Sequence, residues 1–194
     1  MKKAKITITI ILSIIGIFFL IGALLLCVLK YGLTTTDSKL KNYPKRAGYY
    51  KFFPELDSLP PYEDIHYKHI KKSHLLFTTK TLLLVVTYDK ETYMVEKVKI
   101  ESNINFLQEA VYSKDNATYY FIPEHEFSIN SFDFRILEEA QSDYPKYFGM
   151  IAMSDEKNSI AYLNFSDVDL DYICTNKPEG EMKKFIEENF KYDW

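Results

Sequence analysis

The longest uninterrupted apolar stretch of the chain begins at Ile6 and ends at Leu29. These 24 residues lie between Lys5 and Lys30 and include no charged residue. At ~1.5 Å per residue, a helix of this length spans roughly 36 Å, enough to cross a bilayer core of about 30 Å. Buried helices of soluble domains are usually shorter and are interrupted by polar residues. The pattern therefore predicts a transmembrane helix over residues 1–30.

The flanks of this helix predict an uncleaved signal anchor with the following domain outside the cell. A secretory signal has an apolar region of about 7–15 residues and then a small-x-small cleavage site. Here the best small pair, Gly22-Ala23, lies inside the apolar run, and the leucine directly before Cys27 departs from the lipoprotein pattern. Three lysines precede the span, which by the positive-inside tendency places the N-terminus in the cytoplasm. A second basic cluster after the span opposes this orientation, and we expect the first flank to dominate.

Residues 31–62 are predicted to form a tether and irregular segment, because four prolines interrupt any regular element there. Tyr49, Tyr50, Phe52 and Phe53 are too apolar for a free linker, so we expect this half of the segment to lie against the domain.

Beyond residue 62 the pattern changes to that of an α+β domain, 63–194. Two strands are predicted over 65–77 and 81–88, with a turn near 79–80, and the run 82–86 is apolar on both faces, as in a central, covered strand. Alternation at Phe132, Phe134 and Ile136 predicts a short strand, and residues 147–153 and 159–166 flank a turn-rich segment typical of a hairpin. Strands that meet their sequence neighbours predict an antiparallel sheet.

About two helices should pack on this sheet. Asp89 stands where an N-cap belongs, which predicts a helix over 90–102 with apolar positions after the first turn at Tyr93, Met94, Val98 and Phe106, although strand alternation can also be drawn through 97–100. A second, amphipathic helix is predicted at the C-terminus, with an apolar stripe formed by Met182, Phe185, Ile186 and Phe190.

The cysteine content and the charge distribution bear on where the domain is located. Only Cys174 lies beyond the apolar stretch, so the domain has no intrachain disulfide, which fits a Gram-positive surface protein better than a eukaryotic secreted one. Lys30 to Lys114 contains 14 basic and 10 acidic residues, whereas Asp115 to Trp194 contains 7 and 17. This split either orients the domain over an anionic surface or reflects two solvated faces, and the second interpretation is the simpler one.

The order of these elements resembles small single-pass membrane-anchored proteins of Gram-positive bacteria. The matching features are the anchor, the motif Phe53-Pro54-Glu55-Leu56 with a proline pair soon after, the strand pair, the Tyr88-Asp89-Lys90-Glu91-Thr92-Tyr93 helix start and the strand Ile160-Ala161-Tyr162-Leu163-Asn164-Phe165. The resemblance implies an anchored domain at a bacterial surface, and it contributes no catalytic or binding residue.

Candidate chemistry is sparse. The isolated glycines cannot build a phosphate-binding loop, and no Gly-x-Ser-x-Gly, Cys-x-x-Cys or His-Glu-x-x-His motif is present. All four histidines are expected at the surface: His66 and His74 share one face of a strand, His69 lies on the other, and His125 between two glutamates would serve as an acid–base or metal group only in a cleft. Cys174 has no local basic partner and is expected to be inert.

Asp167, Asp169 and Asp171 are the candidate calcium ligands. Their spacing resembles the start of a calcium loop, but Tyr172 and Pro178 occupy the positions that an EF-hand gives to Gly and Glu. On a strand the three carboxylates would share one face, and a charge-protected sheet edge explains them without a metal. We therefore expect no metal site, no cofactor and no catalytic residue.

The sequence thus favours a membrane-anchored extracellular interaction or sensing module. The aromatic residues of the domain supply sticky faces for a protein, a peptide or a cell-wall glycan, and nothing indicates nucleic-acid binding. A small cell-surface hydrolase with a scattered carboxylate and histidine site is an alternative, as is a membrane-tethered immunity protein. A deep pocket with two carboxylates or a His–carboxylate pair would favour the enzyme, and a shallow aromatic patch would favour binding.

Overall fold

The computed structural model describes residues 2–74, 77–115, 118–122, 124–138, 147–167 and 181–194. The described helices and strands, in chain order, are α1 (Lys2–Tyr31), β1 (Leu33–Asp37), α2 (Tyr43–Ala47), β2 (Asp64–His74), β3 (Phe77–Thr87), α3 (Lys90–Asn103), β4 (Val111–Asp115), β5 (Thr118–Ile122), β6 (Glu126–Ile129), β7 (Phe132–Ile136), β8 (Tyr147–Ser154), β9 (Ser159–Asp167) and α4 (Glu181–Phe190).

Seven of these strands form one antiparallel sheet in the order β1-β2-β3-β9-β8-β7-β6, and β4 pairs with β5 in a separate ribbon. The fold is therefore α+β with an antiparallel sheet, as the sequence pattern predicts. The strand β3 lies inside the sheet between β2 and β9, and its run from Leu82 to Val86 is buried throughout. This confirms the central strand, since apolar residues on both faces need cover on both sides.

The local predictions differ in their outcome. The hairpin of β8 and β9, the strand β7 and both packing helices are confirmed. The turn predicted near 79–80 is wrong, because His74 pairs with Phe77 and residues 79–80 already lie within β3. These polar residues resemble a turn, but Thr79 is buried within the strand and only Lys80 is exposed.

The helix α3 begins as predicted, with the Asp89 carboxylate accepting the backbone N–H groups of Glu91 and Thr92 at 2.9 and 3.0 Å. Its far side is tied to the β8–β9 turn, where Asp155 accepts hydrogen bonds from the Tyr93 hydroxyl and from Lys97. Tyr93 is buried, but the predicted apolar positions Met94 and Val98 are exposed.

Each face of the sheet has its own cover. The face that carries Phe148 and Phe165 is covered by α4 and is called the helix face here; Phe185 of α4 lies 5.6 and 4.8 Å from their rings, between centroids. The predicted stripe of α4 is thus buried in the core. The opposite face carries Tyr67 and Tyr162 and is called the tyrosine face; α3 and residues 43–57 cover it.

The segment before β2 is more ordered than its sequence indicates. Residues 33–37, which show no alternation, form the edge strand β1 by pairing with β2. Phe53 is buried in the core, and Tyr50 and Phe52 pack against it, which confirms that these aromatic residues lie on the domain. Tyr49 is exposed instead.

The helix α1 makes few contacts with the domain and presents apolar side chains in several directions. Phe18, Phe19 and Leu20 are 70%, 78% and 72% exposed, and consecutive residues of a helix point about 100° apart. Side chains of α1 are described for Ile10 and for residues 12–28. Over the described residues, no helix combines the length and the apolar character needed to cross a membrane. The transmembrane span over residues 1–30 stays a prediction.

Candidate functional site

A row of residues across the tyrosine face brings polar groups from distant parts of the chain together. Asp37 of β1 lies opposite His69 of β2, which lies opposite Leu82 of β3. Leu82 in turn pairs with Asn164 of β9, and Asn164 pairs with Gly149 of β8. Opposed residues of adjacent strands share a face, so this row forms the floor beneath residues 43–57.

The 43–57 segment is fixed to this floor by aromatic contacts. Tyr43 meets Tyr67 edge-on with ring centroids 5.8 Å apart, and Phe53 lies 6.2 Å from Tyr162. The Tyr43 hydroxyl donates a hydrogen bond of 2.5 Å to the carbonyl of Pro54, which closes the segment into a loop.

Phe52 explains why a glycine stands in the floor. A Cβ atom built on Gly149 would lie 2.5 Å from the Phe52 ring, closer than real side chains approach one another. The absent side chain of Gly149 therefore makes room for the aromatic cover.

An aromatic cavity of about 430 Å³ opens within the loop. This volume lies in the range of about 300–1,000 Å³ that is typical of small-ligand sites. Its lining combines aromatic, proline and small residues with three charged ones: Tyr43, Pro44, Ala47, Gly48, Tyr50, Lys51, Phe53, Pro54, Glu55, Leu56 and Asp57.

A smaller polar pocket of about 80 Å³ is also bordered by Tyr50. It is lined by Arg46, Tyr49, Tyr50, His69, Lys80, Thr81, Leu82 and Asn164. The backbone places these groups because α2 carries Arg46 over the sheet while β2, β3 and β9 supply the floor. The two cavities share Tyr50 and so lie next to each other along the tyrosine face.

The polar pocket is electropositive. Burial lowers the pKa of His69, and the guanidinium of Arg46 lowers it further, with smaller contributions from Lys80 and Lys71, while Asp37 opposes them. The Asp37 carboxylate is already engaged: one oxygen accepts the Lys39 N–H at 3.0 Å and the other accepts the Asn42 side chain at 2.8 Å. These bonds, the first above all, lower the pKa of Asp37 and keep it ionised.

One polar residue of the floor, Asn164, is almost completely buried. Asn164 is 1% exposed, and its Oδ1 has no hydrogen-bond partner among the described residues. Its side chain instead makes a hydrogen bond with Tyr50, which lowers a Tyr50 pKa that burial raises.

The tyrosines that meet between the floor and the 43–57 segment stay neutral. Burial raises the pKa of Tyr67 to about 12 and also raises the pKa values of Tyr43 and Tyr162. Neutral phenols keep their hydroxyl protons, so at physiological pH these groups act as hydrogen-bond donors and apolar walls.

The candidate calcium ligands and Cys174 lie largely outside the described residues. Asp167 ends β9, opposite Thr79, and its side chain lies outside the described residues together with Asp169, Asp171 and Cys174. Within the described part of the chain, no three His, Cys, Asp or Glu side chains are arranged to hold a metal ion.

Two histidines depart from the surface prediction, and the glutamates beside a third have partners of their own. His69 is buried at 7% exposure because the 43–57 segment covers it, and His66 is half-buried beside the Tyr192 ring at 5.0 Å. The glutamates that flank His125 have partners elsewhere: Glu124 accepts the Met182 N–H at 3.3 Å, and Glu126 pairs with Arg135 at 2.9 Å.

Sequence reasoning missed Arg46, Lys80 and Asn164. No local motif marks them, since they meet only through the pairing of β2, β3 and β9 and the return of α2 over that face. The signal that was present is the excess of aromatic residues in 49–53, which indicated contact with the domain.

Comparisons with known proteins place these features in no family. No protein-family model matches the chain, and no curated protein matches it. Among solved structures, the extracellular domain of PknH from Mycobacterium tuberculosis is similar, with 13% identity over 82% of each chain and a TM-score of 0.35. A TM-score of this size carries no argument about fold or function.

Proposed function

We propose that the protein is a membrane-anchored extracellular binding module that captures a peptide or a cell-wall glycan in the aromatic cavity of residues 43–57. The observation that carries this proposal is the cavity itself: about 430 Å³, with walls of tyrosine, phenylalanine and proline. Rigid amphipathic rings offer large contact area to peptide side chains and to the apolar faces of sugars at low entropic cost.

Binding is favoured over hydrolysis by the position of the carboxylates. Glu55 and Asp57 line the aromatic cavity, but both are exposed to solvent. Hydrolases commonly bury at least one catalytic carboxyl group in an apolar environment. The Asp37 carboxylate near His69 is held by Lys39 and Asn42, in the manner of a turn-forming residue.

Anchoring is supported by the first 30 residues. Residues 6–29 carry no charge, and α1 exposes apolar side chains on several sides, a surface that water disfavours and lipid covers. The strand β1 starts two residues after α1 ends, and its Leu33 pairs with Ser73 near the end of the β2–β3 hairpin. That end of the hairpin, with Lys71 and Lys72, therefore lies beside the membrane end of the domain and suits anionic headgroups.

The proposed location of the domain at the cell surface is supported by the resemblance to anchored proteins of Gram-positive bacteria and by the lysines that precede the span. Protease added to intact cells is expected to remove the domain and leave a short membrane-bound fragment. Survival of the full-length chain would place the domain in the cytoplasm.

The binding function is tested with defined probes. Purified full-length protein in nanodiscs is applied to an array of N-acetylhexosamine oligomers and synthetic aromatic and proline-rich peptides. We expect saturable binding to one of the two probe classes, which would also decide between peptide and glycan. Absence of saturable binding to both classes would contradict the proposal.

A further inference from the structure

The polar pocket has a chemical character that differs from that of the aromatic cavity. Its walls bring Arg46, Lys80 and the buried His69 together, and its described lining contains no Asp or Glu. The Asp37 carboxylate opposite His69 attracts both Arg46 and His69 and offsets part of this charge. Arg46 and Lys80 together carry one positive charge more than Asp37 balances, and this excess favours an anionic ligand.

A second, independent observation restricts the chemical class of the anion. The Oδ1 atom of Asn164 is a buried acceptor without a donor among the described residues, in a side chain that is 1% exposed and lines the pocket. A buried acceptor that stays unpaired costs free energy, so the pocket favours a ligand that also brings an N–H or O–H group. Sulfate and fully ionised phosphate have only acceptors and would leave Asn164 unpaired.

The size of the pocket restricts the ligand further. A volume of about 80 Å³ accepts only a few non-hydrogen atoms, such as a carboxylate, its α-carbon and one amide nitrogen. The rest of a larger ligand would continue past Tyr50, which the pocket shares with the aromatic cavity.

We propose that the polar pocket binds the terminal carboxylate of an N-acylated amino acid. Arg46 and Lys80 bind the carboxylate of this ligand, and His69 lies at the floor of the pocket. Asn164 Oδ1 accepts a hydrogen bond from the amide N–H of the bound amino acid. Such a group occurs both at the C-terminus of a peptide and in free N-acyl amino acids. The inference deepens the proposed function, but it stands on different residues, so either can fail while the other holds.

The ligand class is tested by NMR titration of the full-length protein in nanodiscs with N-acetylalanine. Its amide lacks the carboxylate and propionate lacks the N–H, so both controls should bind at least about tenfold more weakly, as expected for loss of a charge-assisted hydrogen bond. Binding should also raise the pKa of His69 and leave that of His66 unchanged, because an anion placed beside an imidazole favours its protonated form.

An acetylated tripeptide ending in alanine distinguishes the two sources of the carboxylate. Tighter binding of the tripeptide than of N-acetylalanine supports the pocket chemistry and identifies a peptide C-terminus. Binding of N-acetylalanine alone supports the same chemistry and identifies a small free acid. Equal binding of N-acetylalanine and its amide, or saturation by neither N-acetylalanine nor the tripeptide, would overturn the proposal.

Substitutions at exposed residues test the binding site without disturbing the fold. Arg46 and Lys80 are exposed, so R46Q and K80Q should fold and each weaken N-acetylalanine binding about tenfold. Lys45, exposed on the same helix but outside the pocket lining, provides the control K45Q, which should bind as the natural protein does. Unchanged binding in both R46Q and K80Q would contradict the assignment.

One further variant distinguishes binding in the polar pocket from binding in the aromatic cavity. K51W alters the lining of the aromatic cavity only, so it should leave N-acetylalanine affinity unchanged. Loss of N-acetylalanine binding in K51W would instead place that ligand in the aromatic cavity and overturn the assignment to the polar pocket.

Discussion

The two faces of the same sheet are covered by different kinds of chain. On the helix face, α4 packs its apolar stripe onto Phe148 and Phe165. On the tyrosine face, most of the cover over the row from His69 to Gly149 is the irregular 43–57 segment, held by aromatic contacts and one closing hydrogen bond. Both cavities described above lie along the tyrosine face.

This difference teaches where stability and binding reside in the molecule. A helix with a continuous apolar stripe fills the space above a sheet, because its side chains recur at a spacing that matches one face. A short irregular loop has no such period, so it leaves space and keeps polar groups such as His69 and Asn164 beneath it. The helix face therefore leaves little room for a ligand, and the tyrosine face carries the proposed site.

The largest effect is expected on the helix face. Replacing Phe185 by alanine removes a buried ring and leaves a cavity, and we expect a loss of about 3–5 kcal/mol in the free energy of unfolding. Denaturant melts of the domain from Tyr31 onward measure it, and E188A, at an exposed position of α4, is the control. An unchanged midpoint for F185A would mean that α4 is not part of the core.

A smaller loss in stability is expected where the 43–57 segment meets the floor of the tyrosine face. G149A brings a Cβ to within 2.5 Å of the Phe52 ring and should cost about 1–3 kcal/mol through overpacking. The double variant G149A/F52A relieves the clash, so its loss should be smaller than the sum of the two single losses. Additive losses in this double-mutant cycle would show that Phe52 does not cover the floor.

The hydrogen bond from Tyr43 to Pro54, which closes the 43–57 segment, should contribute less to the free energy of unfolding. Y43F removes the hydroxyl that donates to Pro54, and we expect a loss of about 0.5–1.5 kcal/mol. The matched control is Y67F, because the Tyr67 hydroxyl has no partner among the described residues and its removal should be neutral or stabilising. A larger loss in Y67F than in Y43F would contradict this ranking.

The smallest expected effect is a pH dependence shared by the faces. His69 on the tyrosine face and His66 on the helix face both have lowered pKa values, chiefly through burial. Below about pH 6.5 the unfolded chain binds protons that the folded chain resists, so stability falls as pH drops from 6.5 toward the folded pKa values. H69Q and H66Q should each remove part of this slope in melts between pH 7.5 and 5.5. A slope that neither substitution alters would show that these two histidines do not cause it.

Periodic elements were predictable from sequence, and the site was not. The stripe of α4, the run in β3 and the Asp89 cap are local patterns, so they were recognised correctly. Strand β1 has no pattern of its own and forms because β2 offers an edge for pairing. The turn was predicted near 79–80 from the polar residues there, but the hairpin continues past them to the pair His74 and Phe77.

The polar pocket depends on register, which a single sequence does not reveal. His69 and Asn164 share a row only because β2 and β9 both pair with β3 in one register, and a shift of one residue would turn either side chain to the other face. Arg46 reaches them from the short helix α2, which no pattern in the sequence predicts. The aromatic cover was anticipated, because Tyr50, Phe52 and Phe53 are too apolar to stay in solvent.

The central claim is that the tyrosine face, and the aromatic cavity in particular, holds the ligand. One measurement tests it directly: binding of the strongest array probe to K51W and K183W, compared with the natural protein. Lys51 lines the aromatic cavity, whereas Lys183 is an exposed residue of α4 on the opposite face. We expect at least about tenfold weaker binding in K51W, because its indole obstructs the cavity, and unchanged binding in K183W. Equal affinities for both variants, or a loss confined to K183W, would contradict the account.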